Sequence, residues 1–271
     1  MFIETEKGVR IRVHDLNPGS GSRPVMFVHG WPLNHRMYEY QFNVLPAYGF
    51  RCVGIDLRGF GESDKPWHGY TYDRLGDDVA AVAEALDLQD AALVGFSIGG
   101  PISIRYLARH PAHQGSRIRK LVLIDPAAPA FARKPDNPYG MPVEQIDDLI
   151  RQTAADRPKM LQDVSLQFFN RNVGPGMLNW FVSMGMQAAS YATIQFLVAL
   201  RDEDVTNDLR AIRVPTSIFH GVHDKIVAYP VAQRLQQNLP GSTLQPLYNS
   251  GHGSVVDEME AMNAALLSAL R

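Results

Sequence analysis

The chain has 271 residues, of which 45% are hydrophobic and 20% charged, and its formal net charge is −2. This length and composition suit a large globular domain, and the charge balance gives no basic surface for nucleic acid or for an acidic membrane. No apolar run approaches the roughly 20 residues of a transmembrane helix, and we expect no secretory signal. A single cysteine, Cys52, excludes an internal disulfide, so a reducing, cytoplasmic location is expected.

The first half of the chain alternates strands with helices. Residues 2–5 and 9–15 alternate polar and apolar side chains, which predicts an antiparallel hairpin at a sheet edge. Continuous apolar runs separated by amphipathic helices then indicate a parallel sheet that is covered on both faces. These strands and helices are predicted at 25–29, 37–47, 52–55, 72–87, 91–96, 99–109 and 121–124.

The alternation breaks after Ile124. Residues 126–207 contain no convincing strand but contain helical patterns near 143–154, 158–169, 176–188 and 190–200. Strands and helices resume at 214–220, 230–238, 243–247 and 255–270. We therefore predict an α/β fold with an eight-stranded, mostly parallel sheet formed by residues 1–125 and 208–271. Residues 126–207 are predicted to form a helical cap inserted after the sixth strand.

The most informative motif is Gly95-Phe96-Ser97-Ile98-Gly99, which follows an apolar strand and precedes a helical pattern. A serine on such a sharp turn is lifted out of the sheet, and the first N–H groups of the helix point at whatever it attacks. Gly95 and Gly99 allow close backbone approach. A bare G-x-S-x-G also arises by coincidence, so the interpretation depends on the flanking elements and on partner residues downstream.

Two late loops supply the partners that a nucleophilic serine needs. An imidazole must take the hydroxyl proton, and a carboxylate must hold the imidazole in the correct tautomer. Asp224 follows one predicted strand and His252 follows the next, so both are expected at the sheet edge that carries Ser97. Asp125, at the end of the strand before the insertion, is the alternative acid, and the sequence around Asp224 favours Asp224.

Attack by a serine creates an oxyanion that needs two hydrogen-bond donors. The predicted donors are the N–H of Ile98, directly after the serine, and the N–H of Trp31 in the loop His29-Gly30-Trp31-Pro32. His29 is expected to be structural in this loop. The histidines at positions 110, 113, 220 and 223 lack a third ligand at useful spacing, so neither a metal site nor a cofactor is expected.

The insertion is rich in large apolar side chains and is expected to roof the serine. Some of these side chains hold the cap helices together, and others are expected to line a mostly apolar pocket. The candidate pocket residues are Phe131, Phe168, Trp180, Phe181 and Met184. No arginine or lysine cluster indicates an anionic substrate, so small to medium apolar esters fit best.

These motifs together resemble those of the α/β-hydrolases, and more narrowly the branch of cofactor-free haloperoxidases, perhydrolases and esterases. The resemblance rests on HGWPLNHRMYEYQ at 29–41, GIDLRGFGESDKPWHGYTYD at 54–73, LVGFSIGG at 93–100, HGVHDKIV at 220–227 and GH at 251–252. It implies the α/β-hydrolase fold, a triad of Ser97, Asp224 and His252, and an oxyanion hole made by the amides of Trp31 and Ile98. The sequence departs from that branch at Leu57, Ile98 and Asp125, where arginine, methionine and an apolar residue are usual.

The expected function is a serine carboxylesterase with a small-molecule ester substrate, and the resemblance adds peracid formation as a side reaction. A lactonase, a lactam amidase and a carbon–carbon bond hydrolase use the same triad and remain alternatives. Epoxide hydrolases and haloalkane dehalogenases share the HG-x-P loop but need a carboxylate where Ser97 stands. A ligand-sensing protein without catalysis is the alternative from another class. The oligomeric state is not predicted.

Overall fold

The computed structural model describes residues 1–19 and 21–271, and within them eight strands form one sheet. The strands lie in the order β1-β2-β4-β3-β5-β6-β7-β8. The pairs β1–β2 and β2–β4 are antiparallel, and the other pairs are parallel. The strands are β1 (Phe2–Glu6), β2 (Val9–Leu16), β3 (Arg23–Val28), β4 (Phe50–Ile55), β5 (Ala91–Phe96), β6 (Ile118–Ile124), β7 (Thr216–Gly221) and β8 (Ser242–Leu247). This arrangement confirms the predicted α/β fold.

Helices cover the sheet and fill the segment between β6 and β7. The helix α2 packs against β1 and α3, while α4 packs against α5 and α6. The α-helices are α1 (Glu39–Phe42), α2 (Tyr72–Ala85), α3 (Gly99–Arg109), α4 (Val143–Phe168), α5 (Pro175–Met186), α6 (Ser190–Asp202), α7 (Tyr229–Asn238), α8 (Ser254–Asp257) and α9 (Met259–Leu270). Within residues 1–19 and 21–271, no helix combines the length and the apolar character needed to cross a bilayer.

Four predicted helices differ in detail from the structure. The helix expected at 37–47 is divided into two 3₁₀ turns and the short α1, because Pro46 has no N–H to donate to the carbonyl of Phe42. The helices expected at 143–154 and 158–169 form the single element α4, which is kinked at Asp156 (φ −152°, ψ 79°). The helix expected at 255–270 is interrupted at Glu258, which has non-helical dihedral angles.

The middle of the sheet determines where the candidate nucleophile lies. All six residues of β5 are buried, because β5 lies between β3 and β6 and helices cover both faces of a parallel sheet. Ser97 directly follows β5, so it emerges at the carboxyl end of a central strand, where open α/β sheets bind their ligands.

The segment between β6 and β7 contacts the loops at that same edge. The indole Nε1–H of Trp31 donates to the carbonyl of Thr193 at 3.0 Å. The amide of Gly253 donates to the carbonyl of Phe168 at 2.8 Å, and that of Ala189 to the carbonyl of Gly59 at 2.9 Å. The loops that carry Trp31 and His252 are thus hydrogen-bonded to this helical segment. The division of the chain into a core and a separate cap stays a prediction.

Candidate active site

Ser97 occupies a strained turn between β5 and α3. Its φ is +52°, a left-handed conformation that costs free energy in a residue other than glycine. The turn is tight because its glycines approach backbone closely: a Cβ atom on Gly95 would lie 2.4 Å from the carbonyl oxygen of Gly99. One on Gly99 would lie 2.3 Å from the carbonyl oxygen of Val28. Both positions exclude any larger residue, which explains the glycines of the motif.

The structure brings Ser97, His252 and Asp224 into one hydrogen-bonded chain. The Nε2 atom of His252 lies 3.0 Å from the Oγ atom of Ser97, and its Nδ1 atom lies 2.7 Å from Oδ2 of Asp224. Since an ionised carboxylate only accepts, Nδ1 carries the proton and Nε2 is free to accept the serine proton. All three residues are buried, and Ser97 retains 6% of its surface exposed. This is the geometry that general-base activation of a hydroxyl requires.

Asp224 is held as an ionised acceptor by its surroundings. Its Oδ1 atom accepts the amides of Ile226 and Val227, both at 2.8 Å. Burial raises the pKa of Asp224, but the imidazoles of His252 and His220 outweigh burial and keep the pKa below its usual range. The carboxylate is therefore charged at neutral pH, as an acid that stabilises an imidazolium must be.

Sequence reasoning missed the role of His220, a second imidazole beside Asp224. The Nε2 atom of His220 lies 2.8 Å from the carbonyl of Val227 and 3.2 Å from Oδ2 of Asp224. Burial lowers the pKa of His220, yet the nearby carboxylates Asp224 and Asp125 raise it above its ordinary value overall. His220 lies near the end of β7, four residues before Asp224. This spacing was the feature of the sequence that could have indicated the contact.

Asp125, the alternative acid, lies beside the triad and has other partners. Its Oδ1 atom accepts the amide of Gly221 at 2.8 Å, and its Oδ2 atom accepts the hydroxyl of Ser254. Burial raises the pKa of Asp125 to about 6. The structure therefore joins His252 to Asp224 and uses Asp125 to connect β7 with the start of α8.

The loop after β3 passes directly against Ser97. A Cβ atom on Gly30 would lie 2.9 Å from the Cβ atom of Ser97, so the backbone next to Trp31 borders the nucleophile. His29 fixes this loop, because its Nε2 atom accepts the amide of Leu57 and its Nδ1–H donates to the carbonyl of Gly30, both at 2.9 Å. Burial lowers the pKa of His29 to about 4, which keeps the ring neutral. The oxyanion roles of Trp31 and Ile98 stay predictions.

The five predicted pocket residues lie in different environments. The ring of Phe168 lies 5.1 Å from that of His252, and the ring of Phe181 lies 4.7 Å from that of Phe168. Phe131 and Met184 are buried in the hydrophobic core. Trp180 contacts Tyr40, with ring centroids 6.2 Å apart, and lines an open cavity on the surface. Phe168 is thus the predicted pocket residue in ring contact with the candidate base.

Metal-ligand residue types meet at two places in the described part of the chain. One group consists of Asp125, His220 and Asp224, which are fully buried and already hydrogen-bonded around the candidate triad. The other consists of Glu84, His110 and His113 at the surface. The first group is therefore a polar network that supports His252.

Comparison with known proteins agrees with this architecture. A family model described as the alpha/beta hydrolase fold matches residues 23–179, which is more than half of the chain. The AB hydrolase superfamily protein YisY of Bacillus subtilis is 49% identical over 98% of this chain and 97% of its own length. The bifunctional esterase/perhydrolase DCH of Acinetobacter calcoaceticus is 34% identical over 100% of this chain and 99% of its own length.

A solved structure is similar along the whole chain as well. The esterase EaEST from Exiguobacterium antarcticum superposes with a TM-score of 0.94 at 39% identity, covering 100% of this chain and 98% of that one. The motifs, the sheet order and these comparisons agree with one another. The chain belongs to the α/β-hydrolase family.

Proposed function

We propose that this protein is a serine carboxylesterase in which Ser97 is the nucleophile, His252 the general base and Asp224 the acid. The observation that carries the proposal is the continuous hydrogen-bonded chain, with Ser97 Oγ 3.0 Å from His252 Nε2 and His252 Nδ1 2.7 Å from Asp224 Oδ2. Serine, imidazole and carboxylate in this geometry are the arrangement that activates a hydroxyl toward an acyl carbon.

The reaction divides into two acyl transfers. Ser97 Oγ attacks the ester carbonyl as His252 takes its proton, and the resulting oxyanion accepts the amide N–H groups of Trp31 and Ile98. His252 then gives the proton to the leaving alcohol, which leaves an acyl group on Ser97. A water molecule, deprotonated by His252, attacks this acyl group and releases the carboxylic acid, which restores the serine.

Residues 126–207 are proposed to act as a helical cap that forms the substrate side of the site. This assignment is supported by the contact of Phe168 with the His252 ring and by the hydrogen bond from Gly253 to the carbonyl of Phe168. The apolar ring of Phe168 beside the candidate base favours esters with small to medium apolar acyl groups. Of the five candidate pocket residues, Phe168 and its ring neighbour Phe181 are proposed to set the acyl preference.

The test is hydrolysis of p-nitrophenyl esters of increasing acyl length by the wild type, Ser97→Ala and Ser183→Ala. Ser183 is an exposed serine of α5, so its variant is the matched control. We expect Ser97→Ala to lose at least about 10³-fold in kcat/KM, since removing a triad member removes covalent catalysis, and Ser183→Ala to match the wild type. A phosphonylating inhibitor should add one adduct, on Ser97. Ester hydrolysis that persists in Ser97→Ala would refute the proposal.

Perhydrolysis is the second candidate activity, favoured by the 34% identity to a protein named bifunctional esterase/perhydrolase. In this reaction hydrogen peroxide replaces water as the attacking group on the acyl-serine, so the products are a peracid and free Ser97. With acetate or a short ester and added peroxide, we expect peracid that oxidises an added dye in the wild type but not in Ser97→Ala. Equal dye oxidation by both proteins would exclude perhydrolysis at this site.

A further inference from the structure

Three side chains with metal-binding chemistry meet far from Ser97. Glu84 lies in the last turn of α2, whereas His110 and His113 follow the end of α3. Ser97 adjoins the opposite end of this 11-residue helix, which separates the two places by roughly 16 Å at 1.5 Å per residue. One ligand atom from each of the three side chains lies within 4.8 Å of the other two. We propose that Glu84, His110 and His113 bind a divalent transition-metal ion of the Zn²⁺ type.

The ligand set matches the chemistry of such an ion. Imidazole nitrogen and carboxylate oxygen are ordinary zinc ligands, and in a tetrahedral site neighbouring ligand atoms lie roughly 3.3 Å apart. The Nε2 atom of His113 already lies 3.2 Å from Oε1 of Glu84. The rings of His110 and His113 are stacked, with centroids 5.4 Å apart. Bringing the three ligand atoms from within 4.8 Å to this spacing would give a site with three protein ligands and one position for water.

Groups behind the ligands are arranged as in metal sites. The Nδ1 atom of His113 lies 2.9 Å from the hydroxyl of Tyr106, a fully buried residue. A hydrogen bond there leaves Nε2 of His113 for the ion and fixes the orientation of the ring. Oδ1 of Asp77 lies 2.9 Å from Nε2 of His110, and a carboxylate on a ligand histidine strengthens its binding.

The arginines of this region are already paired with carboxylates. Arg109 contacts Asp73 at 2.9 Å and Asp77 at 3.0 Å, and Arg117 contacts Asp87 at 3.1 Å. Their positive charge is therefore partly neutralised, which reduces repulsion of a cation. The sequence around His110 and His113 indicates no third ligand. Glu84 is distant along the chain and reaches them because α2 packs against α3.

A bound ion would cross-link α2 to the segment after α3. The site lies apart from the candidate triad, so the expected effect is on stability, through preferential binding to the folded state. Ester hydrolysis is a separate readout, and the metal proposal does not predict any change in it. Failure of the metal proposal therefore leaves the proposed function untouched, and the reverse also holds.

The test is titration of tag-free protein with Zn²⁺ by calorimetry and with Co²⁺ by visible absorption. The variants are His113→Ala and Glu84→Gln, and the matched control is His68→Ala, which removes an exposed histidine. We expect the wild type and His68→Ala to bind about one equivalent of metal ion. His113→Ala and Glu84→Gln should bind at least roughly tenfold more weakly. Zn²⁺ should raise the Tm of the wild type and of His68→Ala but not that of His113→Ala or Glu84→Gln.

The variants also separate this site from the buried histidines around Asp224. Binding that is equally strong in His113→Ala and Glu84→Gln would place the ion elsewhere and overturn the proposal. Absence of binding at millimolar Zn²⁺ would also overturn the proposal. The contact between Glu84 and His113 would then be an ion pair without a metal ion. If His113→Ala does not fold, loss of binding in Glu84→Gln still supports the site, since this change preserves side-chain shape.

Discussion

At the scale of single residues, Asp125 is a carboxyl group whose charge state depends on burial. Its ordinary pKa of 3.8 is raised to about 6 by burial, while Gly221 and Ser254 donate hydrogen bonds to it. Between these two pH values the folded chain holds a proton that the unfolded chain has released. The contribution of Asp125 to the free energy of unfolding therefore decreases as the pH rises from 3.8 to about 6.

Asp125→Asn should remove this dependence. An asparagine keeps an oxygen for the Gly221 amide and can donate to Ser254, but it never ionises. We expect the stability of the variant relative to the wild type to increase between pH 4 and pH 7, by up to roughly 3 kcal/mol for a shift of about two pKa units. Urea unfolding at both pH values measures it, with Asp136→Asn as an exposed control. A difference in the free energy of unfolding between variant and wild type that is the same at both pH values would contradict this expectation.

At the scale of elements, the sequence predicted the strands and the loops that carry the candidate triad, because these follow from local residue patterns. It did not predict side-chain contacts that depend on tertiary packing. The apolar runs predicted the strands, and the order serine, acid, histidine predicted which loops meet. The kink in α4 agrees with the predicted gap before Pro158, because Asp156 turns out of the helix and its side chain accepts the amide of Lys159. The contacts of His220 could not be predicted, since they depend on how β7 and the loop after it fold together.

The link between the loop after β3 and α6 gives a prediction at this scale. Trp31→Phe keeps the main-chain N–H that we assign to the oxyanion hole but deletes the Nε1–H bond to the carbonyl of Thr193. We expect a loss of about 1 kcal/mol of stability. KM should rise more than kcat falls, because α6 is released at the site. Steady-state kinetics on the preferred ester measure this, with Trp67→Phe, an indole 75% exposed, as control. A fall in kcat alone would indicate damage to the oxyanion hole instead.

At the scale of the whole molecule, one buried ion-pair network joins distant parts of the chain. Arg58, in the loop after β4, is fully buried and contacts Asp78 of α2 at 2.6 Å and Glu6 of β1 at 2.9 Å. Thr5 of β1 also donates to Asp78 at 2.6 Å. The network thus attaches the edge hairpin and α2 to the loop beside the site. Removing Asp78 would leave the buried guanidinium of Arg58 with only the partly exposed carboxylate of Glu6 as its partner, so most of its compensation would be lost.

Asp78→Ala should therefore be strongly destabilising. We expect the free energy of unfolding to fall by about 3–5 kcal/mol, with kcat unchanged at temperatures where the variant remains folded. The control is Asp148→Ala, because Asp148 is 57% exposed in its ion pair with Arg151 and such pairs contribute little. Chemical denaturation of the three proteins measures the difference. Similar losses in both variants would show that burial of the pair is unimportant.

The hydrogen bond between Ser97 and His252 joins residues 155 positions apart, and this has a consequence for the order of events during biosynthesis. At roughly 5–20 residues per second, the ribosome adds the base about 8–31 seconds after the serine. Throughout that interval the growing chain carries the strained Ser97 without the histidine that we propose as its base. Under the proposed mechanism, hydrolysis can begin only after His252, which follows β8, has joined the site, so a chain terminated before His252 would be inactive.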